Sequence, residues 1–151
     1  MIDTIMTFLR RLSFTEKIGK SSKVIPLNTI ERKYEYIRQI FQGKKVRVKE
    51  YLFMILLDSQ ENHIKTILLN SMKGNFVAVN RWDIIHPLAK FKPAKIMFTH
   101  NHPNGDPTPS IFDYAFTNNM HDICDDNSIQ VIDHIIVGNG YYSLAENDTL
   151  R

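Results

Sequence analysis

Residues 100–113 read His-Asn-His-Pro-Asn-Gly-Asp-Pro-Thr-Pro-Ser-Ile-Phe-Asp and carry side chains of the kind that hold a metal ion. His100 and His102 stand at i and i+2, so at the end of an extended segment their rings can point to the same side. Asp113, one turn into the helix expected next, can swing back toward them across the loop. Two imidazoles and a carboxylate are ligands that zinc prefers. Three such ligands leave a fourth position for water, the mark of a catalytic rather than a structural site. An ion held there would bring the pKa of water toward neutrality and polarise a substrate carbonyl.

That chemistry also needs a base to take the proton of the attacking water, and Glu50 is the candidate. In a strand over Val46–Leu57, residues Val46, Val48, Glu50, Leu52, Met54 and Leu56 share one face. A lone carboxylate on an apolar face is costly unless something charged or hydrogen-bonding meets it, and a zinc-bound water would do so. Ser110 completes the set, with a hydroxyl placed to donate to the oxyanion of a tetrahedral intermediate. Each residue has a plainer reading. Ser110-x-x-Asp113 is an ordinary capping box, His-x-His occurs in loops without a ligand, and Glu50 could pair with Lys45 or Lys49 at a sheet edge. Together those plainer readings require several coincidences.

The elements that must position these residues follow from periodicity. Residues 1–27 read as an arm: a short amphipathic helix (Ile2, Ile5, Met6, Leu9, Leu12), then a polar, basic stretch closed by Pro26. Its basic pair Arg10–Arg11 follows Ile2, Ile5, Met6 and Leu9, unlike the order in a signal peptide. Asn28 with Glu31 resembles a capping box for a helix whose face is Ile30, Tyr34, Ile37 and Phe41, with Gly43 as its stop. The Val46–Leu57 strand is followed by a turn at 58–62, a second strand over Ile64–Ser71 and a short one over Phe76–Val79. Asn80 caps a helix bearing Ile84, Ile85, Leu88 and Phe91, which Pro87 must kink or interrupt. Ala94–Thr99 is a strand that runs into the loop 101–109, and a helix follows from Ser110 to about Cys124. A hairpin of Ile129–Val137 and Tyr141–Leu144 closes the chain. The order is α/β with a mixed sheet, and 151 residues suit one domain, 28–151, behind the arm 1–27.

Composition narrows the setting. The single cysteine, Cys124, rules out an intramolecular disulfide framework and any zinc site that needs two thiolates. A reducing, cytoplasmic location is the default, and no apolar run approaches the roughly 20 residues of a membrane-spanning helix. The net charge of +3 hides an asymmetry: residues 1–98 hold 18 basic and 8 acidic residues, residues 99–151 hold 1 and 8. One reading is a basic surface for DNA or RNA. The plainer account is two halves of one domain complementing each other in space. His134, after Asp133 at the start of an apolar strand, reads more readily as a satisfied core histidine than as a residue behind the metal. His121 with Asp122, Asp125 and Asp126 reads as a solvated helix end.

The whole pattern resembles a known family. His100-x-His102-Pro103, then Ser110-x-x-Asp113, with Glu50 upstream, matches the JAMM (MPN-plus) metalloprotease motif. The stretch His100–Ser110 and the segment Asp133-His134-Ile135-Ile136-Val137-Gly138 resemble its RadC branch in particular, over about Asn28–Glu146. The resemblance implies a JAMM/MPN-type domain, a curved mixed β-sheet flanked by helices, with one zinc ion between a strand end and a helix. It implies His100, His102 and Asp113 as ligands, Glu50 as general acid/base and Ser110 as the oxyanion-side hydroxyl. Relatives cleave peptide or isopeptide bonds, so the expected activity is zinc-dependent amide hydrolysis on a peptide or protein. The rival expectation is a nucleic-acid-associated accessory protein that uses the fold as a scaffold and contacts DNA through the basic first two-thirds. A third is a partner-binding module, dimerising through the N-terminal helix.

Overall fold

A computed structural model of the chain describes residues 24–72, 79–147 and 149–150. The amphipathic helix expected near the N-terminus lies outside the described residues, as does nearly all of the strand expected over Phe76–Val79. The described chain forms helix α1 (Ile30–Phe41), strands β1 (Glu50–Leu57) and β2 (His63–Met72), helix α2 (Arg81–Phe91), strand β3 (Lys95–Asn101), helix α3 (Ile111–Asp125) and strands β4 (Gln130–Val137) and β5 (Tyr141–Ser143). The sheet is mixed, in the order β2-β1-β3-β4-β5. Only β3 and β4 run parallel, and α3 is the crossover between them. Among the described residues no helix is long and apolar enough to cross a membrane.

Strand parity divides the core into two. Met54, Leu56, Ile96 and Phe98 project to one face, where Ile84 and Leu88 of α2 and Met120, Ile123 and Cys124 of α3 cover them. Phe53, Ile55, Leu57 and Met97 project to the other, under Tyr36, Ile37, Ile40 and Phe41 of α1. A sheet covered on both faces explains why β1 is almost continuously apolar, Tyr-Leu-Phe-Met-Ile-Leu-Leu after Glu50. Each fully buried aliphatic side chain in these layers contributes about 1.5–3 kcal/mol relative to leaving it in water. Leu27, only 1 % exposed, belongs to the α1-side cluster. Its N–H donates to the Glu61 carbonyl at 2.8 Å.

Several boundaries differ from those expected. The first helix is capped by Thr29, not Asn28: Thr29 Oγ1 accepts from Arg32 N, while Asn28 Oδ1 accepts from the Arg32 guanidinium at 2.8 Å. Residues 46–49 form a turn, with Val48 N and Lys49 N both donating to the Lys45 carbonyl, so β1 begins at Glu50 rather than Val46. Their alternation of Val with Lys and Arg mimicked a strand. Helix α2 runs uninterrupted through Pro87, whose buried ring packs on the helix's inner side. His121 is buried rather than solvated, while Asp122, Asp125 and Asp126 are exposed as expected.

A polar cluster lies between α1 and β2. Tyr36 Oη is 2.9 Å from His63 Nε2 and 2.8 Å from Thr66 Oγ1, and His63 Nε2 is 2.9 Å from Thr66 Oγ1. Burial, with Lys65 nearby, pushes His63 down to about 4, so the folded state keeps the ring neutral. The unfolded chain takes up this proton near pH 6.5 and the folded one only near pH 4. Stability should therefore be fully present above pH 6.5 and fall as the pH drops toward 4. Urea midpoints measured across that window in wild type and in His63→Asn check this. The wild-type decline should be the steeper; equal slopes would assign the loss to other groups.

Candidate metal centre

β3 ends in the middle of the sheet and delivers His100 to the face it shares with Ile96 and Phe98. Leu52 is the cross-strand partner of His100. Glu50, two residues earlier on β1, therefore stands level with the point where His102 leaves the strand. α3 then begins at the carboxyl end of β3, with Ser110 as its N-cap. The capping box is fully formed: Ser110 Oγ accepts from Asp113 N, and Asp113 Oδ2 accepts from Ser110 N at 2.6 Å and from Ser110 Oγ at 2.7 Å. The cap and the metal-ligand geometry coexist, because the capping bonds use Oδ2 and leave Oδ1 facing His100.

The three expected ligands come together. One ligand atom from each of His100, His102 and Asp113 lies within 4.8 Å of the others. Asp113 Oδ1 is 3.0 Å from His100 Nε2, Asp113 Oδ2 is 3.4 Å from His102 Nε2, and the two Nε2 atoms are 3.0 Å apart. His102 Nδ1 lies 2.7 Å from the Asp106 carbonyl, which can only accept, so the hydrogen is on Nδ1 and the Nε2 lone pair is bare. Two ring nitrogens and a carboxylate at this spacing need a cation between them, either a proton on a ring Nε2 or a metal ion. The donor set, two imidazoles and one carboxylate, fits a divalent ion such as zinc.

Electrostatics agree with this arrangement. Burial alone would raise the Asp113 carboxyl, but hydrogen bonds to His100 and His102 and the charge of His100 outweigh it and hold the group well below the usual carboxylate range. The hydrogen bond to Asp113 raises His102, against its burial. Glu50 is only 9 % exposed, and burial raises its carboxyl, opposed by the two histidines and reinforced by Asp113. Glu50, His102, Ser110 and Asp113 line one cavity of about 330 Å³, with Pro103, Asn104, Asp106, Thr108 and Phe112 as its remaining walls.

Several residues that hold this site were not singled out from sequence. Asn101, between the two histidines and 2 % exposed, accepts from Tyr51 N at 2.8 Å. Its amide also donates to the Val46 and Lys49 carbonyls. It thus fixes the turn that leads into Glu50. A polar side chain amid the buried strand Lys-Ile-Met-Phe-Thr was the available signal. His134, 1 % exposed, is the satisfied core histidine expected, and one of its partners is His100: the rings meet at 2.8 Å, Nε2 to Nδ1. Its other nitrogen, Nδ1, is 2.6 Å from Thr117 Oγ1. Burial pushes His134 well below its ordinary value, so the ring is neutral.

A single α/β domain with a His-His-Asp cluster at a strand–helix junction, beside a buried glutamate, is the architecture of the JAMM/MPN class. The RadC-like JAB domain family matches residues 27–149, and the chain belongs to that family. Similar proteins include a UPF0758 protein of Enterococcus faecalis, 34% identical over 135 residues, covering 87% of this chain and 57% of the relative. Another is a UPF0758 protein of Geobacter sulfurreducens, 30% identical over 113 residues, covering 75% and 48%. A third, from Clostridium botulinum, is 31% identical over 147 residues, covering 86% and 64%. The chain spans about half the length of the curated relatives it matches.

The loop bearing His102 is tied to the β4–β5 turn. His102 N donates to the Val137 carbonyl and Asn139 N to the Gly105 carbonyl, at 2.9 and 2.7 Å. A Cβ on Gly138 would collide with the Gly105 carbonyl oxygen and stand 2.7 Å from its carbon and 3.0 Å from Pro107 N. All three obstacles are backbone atoms, so the loop itself must move. Gly138→Ala should cost about 1–3 kcal/mol, as overpacking does. Thermal unfolding checks it; an unchanged midpoint would mean that the two loops are not in contact.

Proposed function

We propose that the chain is a zinc-dependent hydrolase of the JAMM type, acting on a peptide or isopeptide bond. The observation that carries this reading is the convergence of His100, His102 and Asp113, with His102 and Asp113 lining the same cavity as a buried glutamate raised by burial. The side chains of His100, His102 and Asp113 would hold the ion. Zinc, when bound there, supplies Lewis acidity toward water and toward a carbonyl. Glu50 takes the proton of the attacking water and later returns it to the leaving amine, as a carboxylate with a raised pKa can do near neutral pH. Ser110 lines the cavity and donates to the oxyanion, once its hydrogen turns away from Asp113. Phe112, an exposed residue that lines the cavity, with exposed Ile111 beside it in the chain, would offer apolar contact to the substrate chain.

Wild-type protein should bind one zinc ion per chain, and His100→Ala, His102→Ala and Asp113→Ala should each lose it, as read by elemental analysis of the folded variants. Undiminished metal in all three would remove the ligand assignment. Glu50→Gln should keep the ion but lower turnover about 10²–10⁴-fold on any amide substrate that wild type cleaves. Retained turnover would place the base elsewhere.

A further inference from the structure

His134 reaches the site through an irregularity in β4. Beside Ile96 stands Val131, which belongs to the α2/α3 face of the core. Strict alternation would next put Asp133 on that face. The register shifts between Ile96 and Met97, however, so that Asp133 pairs with Met97 and His134 with Phe98. Asp133 therefore turns to the opposite side, where it accepts from Ser143 Oγ and Ala145 N. His134 turns to the metal side, against Phe98 and His100.

The hydrogens in this region can be assigned by following donors. Thr117 Oγ1 donates its one hydrogen to the Asp113 carbonyl at 2.7 Å. Toward His134 Nδ1 it can then only accept, so Nδ1 carries the hydrogen of the neutral His134 ring. His134 is 1 % exposed with no carboxylate hydrogen-bonded to it, a setting in which a second ring hydrogen would be a buried, unpaired charge, so its Nε2 is bare and at 2.8 Å accepts from His100 Nδ1. A His100 ring protonated at Nδ1 presents an unprotonated Nε2 to Asp113 and His102. The chain of bonds starts at the backbone of one candidate ligand, Asp113, and ends on the ring of another, His100.

We propose that His134, oriented by Thr117, is the positioning residue that fixes His100 as the Nδ1–H tautomer and so readies its Nε2 to bind a metal ion. This inference rests on the metal-site reading above. His134 does for His100 what the Asp106 carbonyl does for His102, with a second neutral imidazole in place of a carbonyl. Partners of this kind orient ligating histidines, and their removal typically costs about 10–100-fold in metal affinity.

The test combines zinc competition against a chromogenic chelator with long-range ¹H–¹⁵N imidazole spectra of the zinc-free protein. His134→Leu, close in size but unable to accept, should weaken zinc about 10–100-fold. His134→Gln, whose amide oxygen can accept from His100 Nδ1, should recover most of that loss, which a purely space-filling role would not produce. The wild-type spectrum should place the hydrogens of His100 and His134 on Nδ1, a readout that needs no variant to fold. Equal zinc affinity for His134→Leu and wild type would overturn the proposal, as would a His100 hydrogen on Nε2. Failure of the underlying reading looks different: His100→Ala would then hold zinc as tightly as wild type, whatever the tautomers are.

Discussion

Two imidazole nitrogens and a carboxylate aimed at one point repel one another unless a proton or a metal ion stands between them. His100, His102 and Asp113 are held in that way, and the local architecture reads as the set of restraints that keeps them there. Each ring has its far nitrogen committed: His102 to the Asp106 carbonyl and His100 to His134. Asp113 is held by the capping bonds of its own helix. None of the three can turn away to satisfy itself without breaking a bond elsewhere.

The restraints come from different levels of the structure. β3 is the third of five strands and pairs on both sides, which gives His100 a rigid base. Asn101, on the opposite parity from the histidines, ties β3 to the turn ahead of Glu50 and so sets Glu50 against His100 and His102. The 102–105 loop cannot close further on the β4–β5 turn, because Gly105 and Gly138 are already in backbone contact. Glu50 completes the arrangement at the first residue of β1, where the strand has only just entered the core. It is buried enough for its carboxyl to be raised, yet it still borders the cavity.

How much of this was legible in the sequence depended on how local each signal was. His-x-His and Ser-x-x-Asp are contained within fourteen residues, and their geometry follows from strand parity and helix capping, so the cluster could be read directly. Glu50 was legible for a partly mistaken reason: Val46 and Val48 lie in a turn, but the parity of residues 50, 52, 54 and 56 holds. The cap of α1 was misplaced by one residue because Asn28 and Thr29 are both good caps; in the fold Asn28 instead accepts from the Arg32 guanidinium and leaves Arg32 N to Thr29. His134 was ambiguous because the register shift in β4 leaves no mark in the residue pattern. Alternation alone puts Asp133, not His134, beside the site.

The helix that carries Asp113 raises a further point about charge. The N-terminal end of α3 bears a partial positive charge, which disfavours a cation placed beside it. The helix helps the site through its anion instead. Asp113, in the first turn, is stabilised both by the helix end and by the histidines, and so stays ionised despite its burial. A permanent carboxylate then offsets the helix's unfavourable field at the point where an ion would sit. Glu50, with no such support, is left with a raised carboxyl in the same cavity. Two carboxylates a short distance apart are thereby driven in opposite directions by what surrounds them, one toward holding charge and the other toward exchanging a proton.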